Sequence, residues 1–435
     1  MKNRNGSETS NHGNNDWKLI FRTLKYRNYR LYFGGQGISL IGTWIQMIAM
    51  NWLVYRLTGS AFMLGLVGFA SRIPGFIISP FAGVVIDRIH KYRLLMLTQI
   101  LFMVQSAILA LLLFTNVVQV WHLIVLGIFM GLINSFDIPV RQSFVIEMIE
   151  KKEDLGNAIA LNSVLVNIAR LAGPTIAGIL VALIGEGWCF FINTISFIAI
   201  IWSLSAMRIK MPELSPVKTN PVAEFKEGFR YTFGFPPIRT TLLVLALVSL
   251  MGMPYQVLMP VFAVNIYKGG AHSFGFLMAA AGCGALIGGL FLASKKSVLG
   301  TGRNISFAAG IFGIGLILFA VTRVFWLALP FLMVAGFGMM VNMASSNTLL
   351  QTLADDDKRG RVMSFYAMAF MGMVPFGNLL SGTLSNVVGV PNTILIGGVC
   401  CIIGGLFYAY KLPSLRKLSR DIYIKKQIIP ADVKY

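Results

Sequence analysis

The sequence predicts an all-α polytopic membrane protein with twelve transmembrane helices in two pseudo-symmetric six-helix bundles. Of its 435 residues, 56% are hydrophobic and only 12% are charged. That charged fraction is about half of what an ordinary soluble domain carries. Apolar runs of about 20 residues recur along the chain, and each is long enough to cross about 30 Å of hydrocarbon.

Hydropathy places twelve spans along the chain. In order, they lie near residues 31–55, 62–86, 94–114, 121–146, 155–183, 187–207, 238–266, 272–294, 303–322, 326–353, 361–388 and 391–411. The predicted domains are an N-terminal tail (1–30), an N-terminal six-helix bundle (31–207), a linker (208–237), a C-terminal six-helix bundle (238–411) and a C-terminal tail (412–435).

The distribution of Lys and Arg sets the expected orientation. The segment before the first span carries seven of them, and the loop after the second span adds Arg88, Lys91 and Arg93. The loops on the opposite side carry far fewer. Because basic loops stay on the cytoplasmic side, we expect a multi-pass protein of the cell membrane with both termini in the cytoplasm. The net charge of +20 has the same origin. Without a nucleic-acid recognition motif, it does not predict nucleic-acid binding.

The long connection between the sixth and seventh spans, residues 208–237, divides the chain into six spans plus six. An amphipathic piece at 222–234 predicts a helix on the cytoplasmic membrane surface. The halves also resemble each other faintly. "GPTIAGILVALIG" from Gly173 and "GNLLSGTLSNVVG" from Gly377 are 204 residues apart, which predicts an internal duplication.

Catalytic and metal-binding patterns are missing from the sequence. The chain contains no Gly-Lys dipeptide and therefore no phosphate-binding loop of the ATPase type. Its four histidines lack metal-ligand spacing, and its four cysteines lie inside apolar runs. We therefore expect no enzyme activity, no cofactor and no metal.

The loop between the second and third spans reads "GVVIDRIHKYR". Gly83, Asp87, Arg88 and Arg93 in it match Gly-x-x-x-Asp-Arg-x-x-x-x-Arg, and this resembles motif A of the major facilitator superfamily. Gly83 allows close helix approach, and Asp87 can accept hydrogen bonds from a helix N-terminus or an arginine. The alternative is a generic basic loop flanking the membrane.

A second stretch, "ARLAGPTIAG", lies in the fifth span. Gly173, Pro174 and Gly178 resemble motif C of exporters in the same superfamily. Proline bends a helix and glycines let it pack closely. In the family this motif is associated with proton-coupled efflux. The alternative is an ordinary proline-kinked helix.

This resemblance covers nearly the whole chain, and "FDIPVRQSF" with "NIARLAGP" is most similar to the bacterial branch of the enterobactin exporter and macrolide-efflux proteins. It implies a monomeric secondary transporter that works by alternating access. It further implies export of an amphipathic drug or siderophore-like molecule, driven by protons. The alternatives are uptake of a small metabolite and a membrane receptor or scaffold that transports nothing.

Four charged residues fall inside predicted spans: Arg72, Asp137, Arg141 and Arg170. Each is expected to face the bundle interior, because a charge in hydrocarbon is unfavourable. Asp137 and Arg141 are four residues apart and share a helix face. Asp137 is interpreted either as a gate that holds Arg141 or the motif A region, or as the carrier of the driving proton. Arg170 is interpreted either as a partner of Asp137 or as a site for an anionic substrate group.

Polar residues on spans one, seven and ten are expected, by analogy with the family, to line the substrate cavity. They are Gln36, Ser39, Thr43, Gln46, Tyr255, Gln256, Asn342, Ser345, Ser346 and Asn347. A cavity lined by such polar but uncharged side chains suits a large amphiphile better than a sugar or an ion. The alternative is that these side chains only form hydrogen bonds between helices.

Overall fold

A computed structural model of the protein describes the backbone of residues 22–86, 89–149, 151–209, 221–295 and 297–430. Side chains are described for the same residues except 79–85, 152 and 221–225. In this part of the chain, twelve helical segments are long and apolar enough to cross a membrane. The predicted all-α class and the twelve spans are confirmed.

The helical segments are numbered here as spans one to twelve. In order, they are Arg27–Thr58; Ala61–Ala70 with Ile73–Ile86; Lys91–Phe114; Val120–Glu147; Leu155–Ile184; Glu186–Ser205; Pro236–Met251 with Tyr255–Val261 and Phe262–Ile266; Ala271–Ala293; Thr301–Val321; Phe325–Leu353; Arg359–Ala367 with Met368–Gly372 and Met373–Val388; and Val390–Lys425.

Local chemistry explains several helix ends and interruptions. After the first span, Gly59 adopts a φ of +61°, a left-handed conformation that glycine reaches without strain. Ser60 then caps the second span by accepting a hydrogen bond from the amide of Met63 at 3.3 Å. Within spans seven and eleven, one turn widens to a π-helix, at Phe262–Ile266 and Met368–Gly372. Such turns are typical of functional regions.

The spans pack mainly within two halves. In the first half, span one packs against spans five and six, and span three packs against span six. In the second half, span ten packs against spans eight and nine, and span nine packs against span twelve. This arrangement is the two-bundle architecture that the sequence predicts.

The linker helix, Pro221–Gly234, contacts the second half. Glu227 forms an ion pair with Arg361 at 2.7 Å, and the Tyr231 hydroxyl donates to Asp355 at 3.0 Å. Arg361 lies in the first turn of span eleven and Asp355 follows span ten, so the helix is attached to the bundle that it precedes.

Two boundaries differ from the sequence prediction by four residues or more. Span one begins at Arg27, and the helix of span twelve continues to Lys425, beyond the predicted end at residue 411. The ammonium group of Lys426 donates to the carbonyl oxygens of Thr352 at 2.9 Å and Ala354 at 2.8 Å. It therefore caps the last carbonyls of span ten. We call the end of the bundle that carries Arg27 and Lys426 the terminus end, and the opposite end the far end.

Candidate transport pathway between the two halves

At the far end, the fifth span packs directly on the eighth. A Cβ atom at Gly178 would lie 2.8 Å from the carbonyl oxygen of Ala271 and 2.8 Å from the Cα of Gly275. A Cβ at Gly275 would lie 2.7 Å from the carbonyl oxygen of Pro174. Backbones can approach this closely only where side chains are absent, as in small-residue helix contacts. We call this contact the 5–8 seam.

The second span packs on the eleventh in the same manner. A Cβ at Gly65 would lie 2.9 Å from the Cα of Gly382, and a Cβ at Gly382 would lie 3.0 Å from the Cα of Gly65. Gly382 is 204 residues after Gly178, which is the shift of the internal repeat. We call this contact the 2–11 seam. The two seams are equivalent contacts in the duplicated halves.

Additional contacts join the halves at the far end. The Tyr55 hydroxyl of span one donates to the Asn265 side chain of span seven at 3.0 Å. The rings of Trp52 and Phe274 stack, with centroids 6.5 Å apart. The far end is therefore closed by packed glycines, an aromatic pair and a hydrogen bond.

Exposure changes along one face of the fifth span. Ser163, Arg170, Pro174 and Gly178 share this face because they are 7, 4 and 4 residues apart. Ser163 is exposed and Arg170 is half-buried, whereas Pro174 and Gly178 are buried in the 5–8 seam. The gap between the halves thus widens toward the terminus end. On this face, span five is packed against the second half at the far end and exposed toward the terminus end.

Arg72 lies on the face of span two that is turned to the second half. Arg72 lies in the turn that joins the two helical segments of span two, four residues after Gly68 and four residues before Phe76. Gly68 lies against Val257, and the Phe76 ring meets the Phe376 ring edge-on at 5.1 Å. Between these two contacts, the Arg72 side chain is exposed. It therefore faces the gap between the halves rather than the lipid.

Arg170 also faces the second half. It lies 15 residues after Leu155 and 14 before Ile184, at the middle of span five. A Cβ at Gly282 of span eight would lie 3.2 Å from the Arg170 carbonyl oxygen. Its guanidinium lies near the hydroxyl of Tyr255 in span seven.

Asp137 lies in a buried polar cluster inside the first half. One carboxylate oxygen accepts hydrogen bonds from the Thr98 hydroxyl at 2.8 Å and the Gln99 amide at 2.6 Å. The other oxygen pairs with Arg141. The Asp137 side chain is completely buried, and that of Arg141 is 22% exposed. The shared helix face of these two residues is confirmed, and their cluster joins spans three and four.

The suggested pairing of Arg170 with Asp137 is wrong in this conformation. The carboxylate of Asp137 is occupied by Thr98, Gln99 and Arg141. Among the described residues, neither Arg170 nor Arg72 forms an ion pair. The open alternative, attraction of an anionic group, remains for Arg170.

The predicted cavity-lining stripe is wrong for most of its members in this conformation. The following members are at most 3% exposed: Gln36, Ser39, Gln46, Tyr255, Asn342, Ser345 and Ser346. Three others, Thr43, Gln256 and Asn347, are half-buried. The physical reason is that the polar face of a helix also packs against its own bundle. Two members, Gln46 and Asn342, form the hydrogen bonds between helices that the alternative predicts.

Gln46 illustrates that role. Its amide donates to Gln105 of span three at 2.8 Å, and its side-chain oxygen accepts from Asn193 of span six at 2.6 Å. Asn342 of span ten likewise donates to the Ile305 carbonyl oxygen of span nine at 3.0 Å. These amides connect helices within one half.

The two superfamily motifs are placed as follows. In motif C, Gly173 lies against Trp44 of span one, whereas Pro174 and Gly178 form the 5–8 seam. In motif A, Gly83 belongs to the helix Ile73–Ile86, and Arg93 is exposed at the start of span three. The side-chain surroundings of Gly83, and residues Asp87 and Arg88 altogether, lie outside the described residues.

At the terminus end, a charged cluster that sequence reasoning missed surrounds Asp154. Arg22 and Lys25 form ion pairs with its carboxylate at 2.7 and 2.9 Å, and the Tyr26 hydroxyl donates to it at 2.7 Å. Hydrogen bonds from Lys25 and Tyr26 hold the pKa of Asp154 below its ordinary value. The cluster attaches the start of span one to the start of span five, and no local sequence pattern signals a contact across 130 residues.

The chain matches a known protein family over nearly its whole length. The family model for transmembrane secretion effectors matches residues 21–433. The staphyloferrin A transporter of Staphylococcus aureus is 26% identical over 87% of this chain and 95% of its own. The multidrug efflux pump Tap of Mycolicibacterium fortuitum is 24% identical over 87% of this chain and 93% of its own.

Among solved structures, a bacterial homologue of the human lysosomal transporter Spinster, inward-facing and unoccupied, superimposes with a TM-score of 0.71. The match covers 95% of this chain and 99% of that one, at 13% sequence identity. At such low sequence identity, the match shows that the two proteins share a fold.

Proposed function

Because the chain belongs to the transmembrane secretion effector family of the major facilitator superfamily, we propose that it exports an amphipathic small molecule by alternating access. The chain is a membrane transporter by family, and its matched relatives are transporters rather than enzymes. Export agrees with the multidrug efflux pump among those relatives. A drug or a siderophore is the substrate class that their names support.

The observation that carries this proposal is the asymmetry between the two ends of the bundle. Both seams pack glycine backbone against backbone at the far end, whereas the face of span five opens toward Ser163 at the terminus end. Basic residues concentrate at the terminus end, so this end faces the cytoplasm under the positive-inside rule. The structure then corresponds to an inward-open state of a protein in the cell membrane. In this state, a cytoplasmic compound can enter the cavity.

Proton coupling is assigned to Asp137. Asp137 is a buried carboxylate in the interior of a described span, whereas the other buried carboxylates of the first half, Asp154 and Glu186, lie at the starts of spans. Both of its oxygens accept hydrogen bonds or pair with a cation, so protonation would change the bonding of the whole cluster. Protonation would remove the charge that holds Arg141 and would loosen the contact between spans three and four. The same cluster would therefore serve both as the proton site and as the gate. We propose that the protein works as a monomer.

Inverted membrane vesicles test the proposal, because their cytoplasmic face is outside. A panel of dyes, antibiotics and siderophores is offered with and without an acid-inside gradient. Accumulation of at least one compound that a protonophore abolishes is the expected result. Accumulation that is insensitive to the protonophore would contradict proton coupling. Movement only in right-side-out vesicles, inward, would support the uptake alternative.

A further inference from the structure

Two cations lie at mid-depth between the halves and have no carboxylate partner in the part of the chain that the structure describes. Arg72 lies between Gly68 and Phe76 on the inner face of span two. Arg170 lies at the midpoint of span five, on the face that forms the 5–8 seam. Both arginines belong to the first half, and both faces are turned to the second half.

The surrounding sequence contains no acidic residue that would neutralise them. Residues 61–86 and 155–184, which include spans two and five, contain no Asp or Glu. Residues 236–354, which include spans seven to ten, contain none either. Asp137 in span four is neutralised by Arg141. The middle of the gap between the halves therefore carries two positive charges that the protein does not balance.

An unbalanced charge at this depth is unfavourable, and it is retained where it serves a ligand or an ion pathway. Guanidinium groups bind carboxylates and phosphates through two parallel hydrogen bonds, which strengthen as water is excluded. The chemistry of the site is therefore that of an anion site.

We propose that Arg72 and Arg170 bind anionic groups of the transported molecule, so that the substrate class is an amphipathic organic anion with carboxylates or similar acids. The apolar part of such a molecule would lie against the aromatic and aliphatic residues that flank Arg72, namely Phe76, Val257 and Phe376. This proposal rests on the proposed transport function, since it assigns the substrate class of the same cavity.

Binding measurements on purified full-length protein in nanodiscs of zwitterionic lipid test it without a proton gradient. The probes are 5-carboxyfluorescein, a polyanion, and rhodamine 6G, a cation with the same xanthene ring system. Fluorescence anisotropy is expected to show tighter binding of carboxyfluorescein, weakening with added salt. Arg72→Gln and Arg170→Gln are each expected to weaken that binding by about tenfold, the loss of one charge-assisted contact.

Arg323→Gln is the matched control, because Arg323 is exposed in the loop before span ten at the closed far end. It removes the same charge and is expected to leave binding unchanged. Equal or tighter binding of rhodamine 6G by the wild type would overturn the proposal. So would carboxyfluorescein binding that is unaffected in both cavity variants. Loss of binding when phosphatidylglycerol replaces the zwitterionic lipid would assign the arginines to lipid headgroups instead.

Thermal unfolding separates ligand binding from a structural role. An arginine retained for packing destabilises the protein when it is replaced, whereas an unpaired cation retained for a ligand does not. The apo forms of Arg72→Gln and Arg170→Gln are therefore expected to unfold at the wild-type temperature or above it. A lowered unfolding temperature in both variants would contradict the assignment.

Anion binding at the two arginines and export are separate properties, and the experiments distinguish them. Protein that binds carboxyfluorescein through the two arginines and moves nothing in vesicles would refute export and leave the anion site. Protonophore-sensitive movement of cationic dyes, unchanged by Arg72→Gln and Arg170→Gln, would leave export and refute the anion site.

Discussion

In the fourth span, the fully buried carboxylate of Asp137 pairs with Arg141 one helical turn further along. Thr98 and Gln99 of the third span donate to the same carboxylate. A local ion pair is thus connected to a neighbouring helix by two further hydrogen bonds. We therefore expect a change in the charge of Asp137 to alter the packing of span three on span four.

Replacing either partner of this pair is expected to destabilise the protein. Asp137→Asn leaves Arg141 without a counter-charge, and breaking a buried ion pair lowers the free energy of unfolding by about 3–5 kcal/mol. The double variant Asp137→Asn/Arg141→Gln should recover part of that loss, because it leaves no unpaired charge. Chemical unfolding in detergent gives the unfolding free energies of the wild type, the two single variants and the double variant, which together form a double-mutant cycle.

Transport by the same variants separates the two roles of Asp137. If Asp137 carries the proton, Asp137→Asn abolishes protonophore-sensitive efflux, whereas Arg141→Gln retains some of it. Identical losses in both single variants, with no further loss in the double variant, would reduce the pair to a gate. Near-normal efflux by Asp137→Asn would remove this residue from the mechanism.

The ion pair was predictable from sequence because it is local. A spacing of four residues places two side chains on one helix face, whatever surrounds the helix. The partners Thr98 and Gln99 were not predictable, because they depend on which face of span three meets span four. The suggested pair of Arg170 with Asp137 failed for the same reason. Hydropathy gave the spans reliably, but it missed the extension of the last helix to Lys425, where polar residues continue the helix outside the apolar run.

Gln46 is expected to matter for stability rather than for substrate choice. Gln46→Leu would leave the buried amides of Gln105 and Asn193 without this partner, which costs about 1–3 kcal/mol in unfolding free energy. The ratio of transport rates among dyes should stay the same. Gln351→Leu, at an exposed position of span ten, is the matched control and should leave the unfolding free energy unchanged. A changed dye preference in Gln46→Leu, with wild-type stability, would restore the cavity-lining interpretation.

The polar stripe of span one shows why such positions are hard to assign. A period of 3.6 residues identifies a polar face, but it does not reveal whether a cavity or another helix covers that face. Gln36, Ser39 and Gln46 are all buried, and Gln46 bonds to spans three and six of its own bundle. In contrast, both copies of the predicted repeat, from Gly173 and from Gly377, contain a glycine that lies at a close helix contact. Close packing needs glycine at the contact itself, so Gly178 and Gly382 mark the two seams directly.

The cluster around Asp154 is expected to make stability depend on acid. Lys25 and Tyr26 lower the pKa of Asp154 in the folded protein. The stabilisation is therefore complete above the unfolded pKa of about 3.9 and is lost as the pH falls through the lower folded pKa. The unfolding temperature of the wild type should fall more steeply below about pH 4 than that of Asp154→Asn. If the unfolding temperatures of the two proteins change in parallel with pH, the ionisation of Asp154 does not contribute to stability.

The central claim is that the 5–8 seam closes the far end and must open during transport. Gly178→Val tests it most directly, because any Cβ there meets the backbone of Ala271 and Gly275. Gly156→Ala is the control in the same span, since a Cβ at Gly156 meets open space. The distance across the far end is measured by electron–electron double resonance between spin labels at Asn116 and Arg323, with the native cysteines replaced. We predict a longer distance and at least tenfold slower efflux for Gly178→Val, and wild-type values for Gly156→Ala. An unchanged distance with normal efflux in Gly178→Val would contradict the account.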